Sequence, residues 1–543
     1  MIKSLFLLCL TSSACFAFSQ ERLVYHDIKT DASKNIVPWF HPDPGTSYDH
    51  VLHLVWKFWD TMRRDINGIP YYMNHQIWQQ GVNESKGIGG DQLAMALSSW
   101  RLYYHYIGEE QVKENMKFIA DYYLTHSLSA SDASWPNIPF PYNTLIYSGI
   151  YDGDMVIGKD YTQPDKAGSF AIELVNLYKL MADEDYPSTV HTRYLDAAIR
   201  IANTLARKVR DGDENSSPLP FKVNAYNDSV GILKNNNRDG KVAGRSNYTT
   251  NWSATLELFL ELQKMKAGET QLYQQAFDKI LRWMKNFPLK NNKWGPFFED
   301  IPGWSDTQIN AITFAEFMMK YPEYFPDWKQ EVKKIFDWVY EKLGNEKWKQ
   351  YGVTVINEQT AYSVPGNSHT ARQAAAELQY MWLTSDRSRY PHAVRQLNWA
   401  TYMVDFDGKN FYPTNAVWMT DGYGDYVRHY LKAMGAFPEL APADQNHLLY
   451  STSVVQHIFY RSQLGKYFFR AIRDREKTEM HYTTYDSSGM EVIRLTKKPS
   501  GVLFNNTAAK ENDKQHGYEW KPLANGGVLT IRRTGARQIT ILR

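Results

Sequence analysis

The chain has almost no cysteine: of its 543 residues only Cys9 and Cys15 carry a thiol. Both lie in the apolar N-terminal stretch. Beyond that stretch disulfides, thiolate zinc sites, iron–sulfur clusters and cysteine nucleophiles are therefore excluded. A surplus of one charge is missing too. Lys and Arg number 61 against 59 Asp and Glu, a formal net charge of +2, which is too near neutral for a protein that grips nucleic acid through its charge. After the N-terminus no apolar run approaches the roughly 20 residues that span a bilayer. A GxSxG nucleophile elbow, an HExxH zinc motif, a P-loop and a GxGxxG turn ahead of a strand are absent as well.

What is present begins with an export pattern. Lys3 precedes an apolar run from Leu5 to Leu10, and small residues lead to Ala17-Phe18-Ser19 just before Gln20. This reads as a secretory signal peptide over residues 1–19. It predicts an exported protein, periplasmic or extracellular after cleavage. A lipoprotein anchored at Cys15 is the alternative, but Ser12-Ser13-Ala14 lacks the aliphatic residue usual three positions ahead of such a cysteine. An exported chain without disulfides fits a bacterial envelope, where a large core supplies the stability that small secreted domains take from cross-links. Aromatic residues make up 15% of the chain, with 17 Trp and 37 Tyr. Their flat faces serve either to stack on sugar rings or to fill helix interfaces.

From about residue 50 to 435 apolar residues recur at helical spacing, in pairs of segments separated by polar loops rich in Gly and Pro. One member of each pair follows a loop that delivers a polar residue at its start, near Asp91, Lys166, Thr250, Asp306, His369 and Asp421. These same segments are rich in small residues, as in AMALSS, AGSFA and TARQAAA. Close backbone approach favours small side chains, so they are expected to form an inner ring with their starts gathered on one side. After about residue 450 the pattern changes to short alternating runs between turn clusters such as DSSG and ANGG. That predicts a small antiparallel sandwich.

Paired helices of this kind, with polar residues at the inner starts, resemble the (α/α)6 toroid of secreted carbohydrate-active enzymes, the six-hairpin glycosidases and toroidal polysaccharide lyases. The resemblance spans residues 45 to 440 and is architectural. It implies a mainly α fold, with an (α/α)6 toroid of helical hairpins over residues 20–445 and a C-terminal antiparallel β-sandwich over 446–543. It also implies a cleft lined by the inner helix starts, aromatic sugar subsites and a carbohydrate substrate.

Carboxylates crowd the expected rim: Asp91, Asp152, Asp154, Asp165, Glu299, Asp300, Asp306, Glu358, Asp421 and Asp425. Glycoside hydrolysis needs two of them about 5–9.5 Å apart, one protonated and one ionised. Asp154, Asp306 and Asp421, with Asp91 and Asp425 behind them, are the candidates for acid and base. For Asp91, Asp165 and Asp306 the competing reading is helix capping. The loop from Trp135 to Ser169 is long and dense in aromatics and Asp, and such loops are usually functional. Trp135, Tyr142, Tyr147 and Tyr151 would form its sugar platform, and Asp152 and Asp154 would be presented from a Gly turn. Calcium on that Asp-x-Asp is an alternative, but the rest of an EF-hand spacing is lacking, and no cofactor or metal is assigned.

Asp421, Tyr423, Asp425, Arg428 and His429 lie within little more than two helical turns, with Asp425 and His429 spaced i, i+4. Asn367, His369 and Arg372 stand at another inner start. Together with Tyr423 and Arg245 they supply what a lyase needs, namely neutralisation of a uronate and a His or Tyr base. Lys166, Trp304, Trp418, Arg372 and Arg428 complete the substrate-binding candidates. Three readings follow: a glycoside hydrolase, which the surplus of rim carboxylates favours; a lyase acting on uronate glycans; and a non-catalytic glycan-binding protein.

Overall fold

The computed structural model describes residues 21–61, 90–140, 159–182, 189–234, 242–297, 304–413, 415–419, 423–463 and 477–543. Its helices alternate in character along the chain. α1 (Pro44–Thr61), α3 (Glu110–His126), α5 (Thr189–Lys208), α7 (Thr270–Asn286), α9 (Trp328–Leu343) and α11 (Tyr390–Thr401) form one set. They are amphipathic: in α7, for example, Tyr273, Ala276, Phe277, Ile280, Leu281 and Met284 make a buried stripe while Gln274 and Asp278 face solvent. The other set comprises α2 (Gly90–Ile107), α4 (Pro164–Met181), α6 (Ser253–Lys264), α8 (Gln308–Lys320), α10 (Asn367–Thr384) and α12 (Tyr423–Ala436). These are buried nearly all round. In α10 the unbroken run from Asn367 to Leu378 is out of solvent.

The second set closes a ring. α2 packs on α4, α4 on α6, α6 on α8, α8 on α10, α10 on α12, and α12 returns to α2. Each outer helix packs against inner members, giving an (α/α)6 toroid of hairpins. Small residues permit the close approach: a Cβ on Gly168 of α4 would lie 1.9 Å from Thr255 Oγ1 of α6. Ion pairs tie neighbouring inner helices together. Arg101 reaches Glu173 at 3.2 Å, Lys179 reaches Glu261 at 2.5 Å, Lys320 reaches Glu257 at 2.7 Å and Lys432 reaches Glu316 at 2.9 Å.

Beyond α12 the chain turns to strands: β1 (His447–Ser451), β2 (Val455–Tyr460), β3 (Thr478–Thr484), β4 (Gly489–Leu495), β5 (Gly501–Phe504), β6 (Thr507–Ala508), β7 (Lys510–Glu511), β8 (Gly517–Pro522), β9 (Gly527–Arg533) and β10 (Gln538–Leu542). They build two five-stranded sheets, ordered β1-β4-β9-β8-β7 and β2-β3-β10-β5-β6, antiparallel except for the β7–β8 pair. Met480, Tyr482, Ile493, Leu529, Ile531, Ile539 and Ile541 are buried in this sandwich.

The sandwich sits over the C-terminal ends of the inner helices. Tyr460 donates to the carbonyl of His105 at 2.5 Å, Gln456 donates to the carbonyl of Lys179 at 3.0 Å, and Lys264 pairs with Asp486 at 3.2 Å. Trp382 packs edge-on to Tyr450, and Gly435 lies against the Leu449 carbonyl. The inner N-termini are thus at the end of the ring opposite the sandwich.

Three of the polar loops expected ahead of inner helices contain short antiparallel strand pairs instead. These are Ile232–Lys234 with Val242–Arg245, Val355–Gln359 with Tyr362–Pro365, and Phe411–Tyr412 with Asn415–Met419. Runs of two to five residues are too short to show a period of two against the surrounding polar sequence. Among the described residues no helix is long and apolar enough to cross a membrane.

Candidate functional site

The end of the ring opposite the sandwich holds a buried charged cluster drawn from four inner helices. Gly366 is the N-cap of α10, so Asn367, Ser368 and His369 form its first turn and Arg372 follows one turn on. Asp425, Arg428 and His429 occupy the first two turns of α12. Arg372 forms an ion pair with Asp425 and donates to Gln308 Oε1 of α8 at 2.8 Å. Ser368 donates to the same carboxylate, and Arg428 pairs with its other oxygen. His429 Nε2 lies 3.1 Å from Asp425 Oδ2, and Arg428 Nη1 donates to Ser98 Oγ of α2 at 2.9 Å. Asp425, Arg372 and His429 are each 1% exposed.

The charges decide the protonation states. Burial works to raise the Asp425 carboxyl, but Arg372, Arg428 and His429 outweigh it and hold it well below the usual carboxylate range. Asp425 is therefore a fixed anion. His429 is pushed down to about 4, first by burial, with the pull of Asp425 only partly compensating. His369 is likewise held well below its usual value by burial and by Arg372, so both imidazoles are neutral at neutral pH. His369 Nδ1 and Glu358 Oε1 both border the space where a Gly366 Cβ would stand, at 2.6 and 3.6 Å from it. A neutral imidazole and a carboxylate thus flank the start of α10.

At the same end Trp304 is 45% exposed and its orientation is set. Its Nε1 donates to Asp306 Oδ2 at 2.8 Å, one side packs on Tyr248 at 5.0 Å between centroids, and Lys293 Nζ lies 4.8 Å from the ring centre. The other Asp306 oxygen accepts from the backbone N–H groups of Trp294 and Gly295 at 2.7 and 2.9 Å.

Several sequence expectations are corrected by these contacts. Asp306 is neither a helix cap nor an open carboxylate: N-cap Thr307 follows it, and both its oxygens are engaged in fixing a loop and an indole. Asp425 lies between guanidinium groups that hold its carboxyl low, so of the two roles expected for it the arrangement fits the ionised one. Trp135 is no sugar platform. It is 3% exposed in the core and its Nε1 donates to Asp228 at 2.6 Å. Lys166 is 4% exposed, donating to the Phe297 carbonyl at 3.0 Å and pairing with Asp165 at 3.2 Å, so it meets protein and not substrate. Arg372 is at 1% exposure likewise spent on internal partners. Asp165 does not cap α4; it accepts from Asn251 at 2.9 Å across to the start of α6.

Asp154, Tyr151, Asp152, Asp421, Tyr142, Tyr147, Glu299 and Asp300 lie outside the described residues, as do the side chains of Asp91, Arg245, Trp418 and Tyr423. Sequence reading missed Gln308, Ser368 and Ser98 as members of the cluster. The i, i+4 spacing of Ser368 and Arg372 was the one signal available for them. Among the described residues no group of three or more His, Cys, Asp or Glu is arranged to hold a metal.

No family model matches the chain, and no curated protein matches it. Solved structures do resemble it in chain course. A sugar epimerase from a ruminal bacterium is 12% identical, with a TM-score of 0.48 over 70% of this chain and 97% of that one. A family 76 α-mannanase from Bacteroides thetaiotaomicron is 12% identical, with a TM-score of 0.42 over 71% and 98%. A polysaccharide lyase is 12% identical, with a TM-score of 0.41 over 72% and 96%. These names span three reaction types, and the reaction of this chain has to be sought in its own residues.

Proposed function

We propose that this protein is a glycan-processing enzyme that cleaves its substrate at the mouth of the toroid opposite the sandwich. The observation that carries this reading is the charged cluster shared by α8, α10, α12 and α2 at that mouth. Burying so many charges is costly and adds little stability by itself, whereas a preorganised field at a helix-ring mouth is what bond cleavage uses. The exposed, oriented indole of Trp304, just ahead of the start of α8, offers a face for a sugar ring.

Hydrolysis is the first reading of the reaction. With Asp306 and Asp425 otherwise engaged, the acid and base fall to Asp154, Asp421 and Asp91, which the sequence places in or just ahead of inner helix starts. β-Elimination is the second, and His369 favours it: a neutral imidazole beside Arg372 and Glu358 is suited to take a proton from a carbon next to a carboxylate. Bringing a uronate into the mouth adds negative charge near His369, which raises its basicity at the moment of reaction.

Digestion of a panel of neutral and uronate-containing polysaccharides separates the readings. New reducing ends without absorbance near 235 nm support hydrolysis. Reducing ends with that absorbance, abolished in His369→Ala, support elimination. Glycans bound yet released unchanged over days would remove the enzyme reading altogether.

A further inference from the structure

The charged cluster is almost closed to solvent. Gln308, Arg372, Asp425 and His429 are buried, and Ser98 and His369 are each only 7% exposed, so a glycan cleaved there has to reach groups that this arrangement hides. What fills the space beside them is apolar. Met95, Phe297 and Ile309 form a buried contact cluster of their own, separate from the main core. Met95 belongs to α2 and Ile309 to α8, opposite members of the six-helix ring, so the trio crosses the ring from one side to the other. It crosses beside the charges: Ser98 donates to the Met95 carbonyl at 2.8 Å, and Ile309 directly follows Gln308. Phe297 comes from the loop ahead of α8 and not from a ring helix. The base of that loop is pinned, because Asn310 Nδ2 donates to the carbonyls of Trp294, Gly295 and Pro296 at 3.1 Å each. Phe297 itself is held from a third inner helix. Lys166 of α4 donates to its carbonyl at 3.0 Å, with Nζ 2.9 Å from the ring centre, and pairs with Asp165 at 3.2 Å. A buried ammonium is a costly means of fixing a phenyl ring that apolar contacts already retain. A polar latch on a ring that must come and go gives that ring two discrete positions.

We infer that Phe297 is a stopper in the ring and Lys166 its latch: the side chain closes the mouth as it stands and withdraws when a glycan enters, uncovering the cluster. The purpose of the opening rests on the glycan-processing reading. The opening itself does not, and it is measured without substrate.

The test uses the scarcity of cysteine. In the full chain with Cys9→Ser and Cys15→Ser, Ser98→Cys places a single thiol beside the stopper, and its reaction with a small methanethiosulfonate is followed under native conditions. Labelling of this parent is expected to be slow. Adding Lys166→Met, which removes the latch but keeps the ring, should raise the rate about tenfold or more, and adding Phe297→Ala should do the same. Met284→Ala truncates a fully buried side chain of α7 and is the control for lost stability; added to the same parent it should leave the rate unchanged. No acceleration by Lys166→Met, or equal acceleration by Met284→Ala, overturns the inference and makes Phe297 ordinary core filling. A parent labelled as fast as the urea-unfolded chain overturns it as well, because the mouth would already be open. Should Lys166→Met lose the helical circular dichroism of the parent, Phe297→Ala against Met284→Ala decides in its place. If Lys166→Met speeds labelling while no glycan is bound or cleaved, the stopper stands and the glycan-processing reading falls.

Discussion

Asp425 is the residue on which the mouth depends. Replacing it by Asn leaves two buried guanidinium groups without their anion, and breaking a buried pair of this kind costs about 3–5 kcal/mol. Asp425→Asn is therefore expected to lower the denaturant midpoint of the whole protein clearly, as read by guanidinium unfolding, and an unchanged midpoint would show the cluster to be solvated. Asp306 should behave differently. Its carboxylate aims an exposed indole, so Asp306→Asn and Trp304→Ala are expected to raise KM for an oligosaccharide several-fold with a smaller change in kcat. Equal loss of kcat in both would instead put Asp306 in the chemistry. Both residues stood out in the sequence as rim carboxylates. Which of them is locked between arginines and which one anchors a loop depended on Arg372, Trp294 and Gly295, partners that lie 53, 12 and 11 positions away.

For the inner helices the limiting quantity is the distance between backbones. Gly168 and Thr255 meet where α4 crosses α6, and a methyl group at Gly168 would fall 1.9 Å from Thr255 Oγ1 and 3.2 Å from its Cα. Alanine is the better helix former by about 1 kcal/mol, but overpacking costs about 1–3 kcal/mol, so Gly168→Ala is expected to lower the melting temperature. Adding Thr255→Ala should restore part of the loss; a stabilised single variant would mean that the two helices can move apart. The small-residue runs, the helical spacing and the approximate inner starts were all readable in the chain. The expected starts near Lys166, Thr250, Asp306 and His369 lie within three residues of the observed Pro164, Ser253, Gln308 and Asn367. The strand pairs ahead of α6, α10 and α12 were not readable, because their pairing is held by partners across a hairpin and not by a local pattern.

The whole molecule carries a proton-linked weakness. His105 is pushed down to about 3, and His429 and His481 to about 4, each chiefly by burial. In the unfolded chain they titrate near 6.5. A histidine whose folded value is lowered contributes stability that is complete above the unfolded value and is lost as the pH falls from about 6.5 toward the folded value. Each such group costs about 1.4 kcal/mol per pH unit in that window. His392 is likewise pushed to about 4 and His369 lies well below its usual value, so guanidinium unfolding at pH 7.5 and 5.5 should show a clear net loss of stability at the lower pH. His53 runs the other way. Its burial is outweighed by Asp49, which raises it to about 8, so its contribution fades as the pH rises through that value. A midpoint that does not fall on acidification would mean that these imidazoles find protons without opening the core.

By itself the sequence determined the class of fold: periodicity of 3.6 in paired segments, small residues on alternate members and a switch to a period of two after residue 450 are local properties, and local properties are written in the chain. The tertiary structure alone decided which polar residues face one another. Trp135 and Lys166 turned inward to Asp228, Asp165 and Phe297. Gln308, Arg372, Asp425, Arg428 and Ser98 became one network only when four inner helices were brought side by side. The physical reason is that a buried charge takes its state from neighbours within a few ångströms, and ring closure supplies those neighbours from segments as far apart as Ser98 and Arg428, 330 residues along the chain.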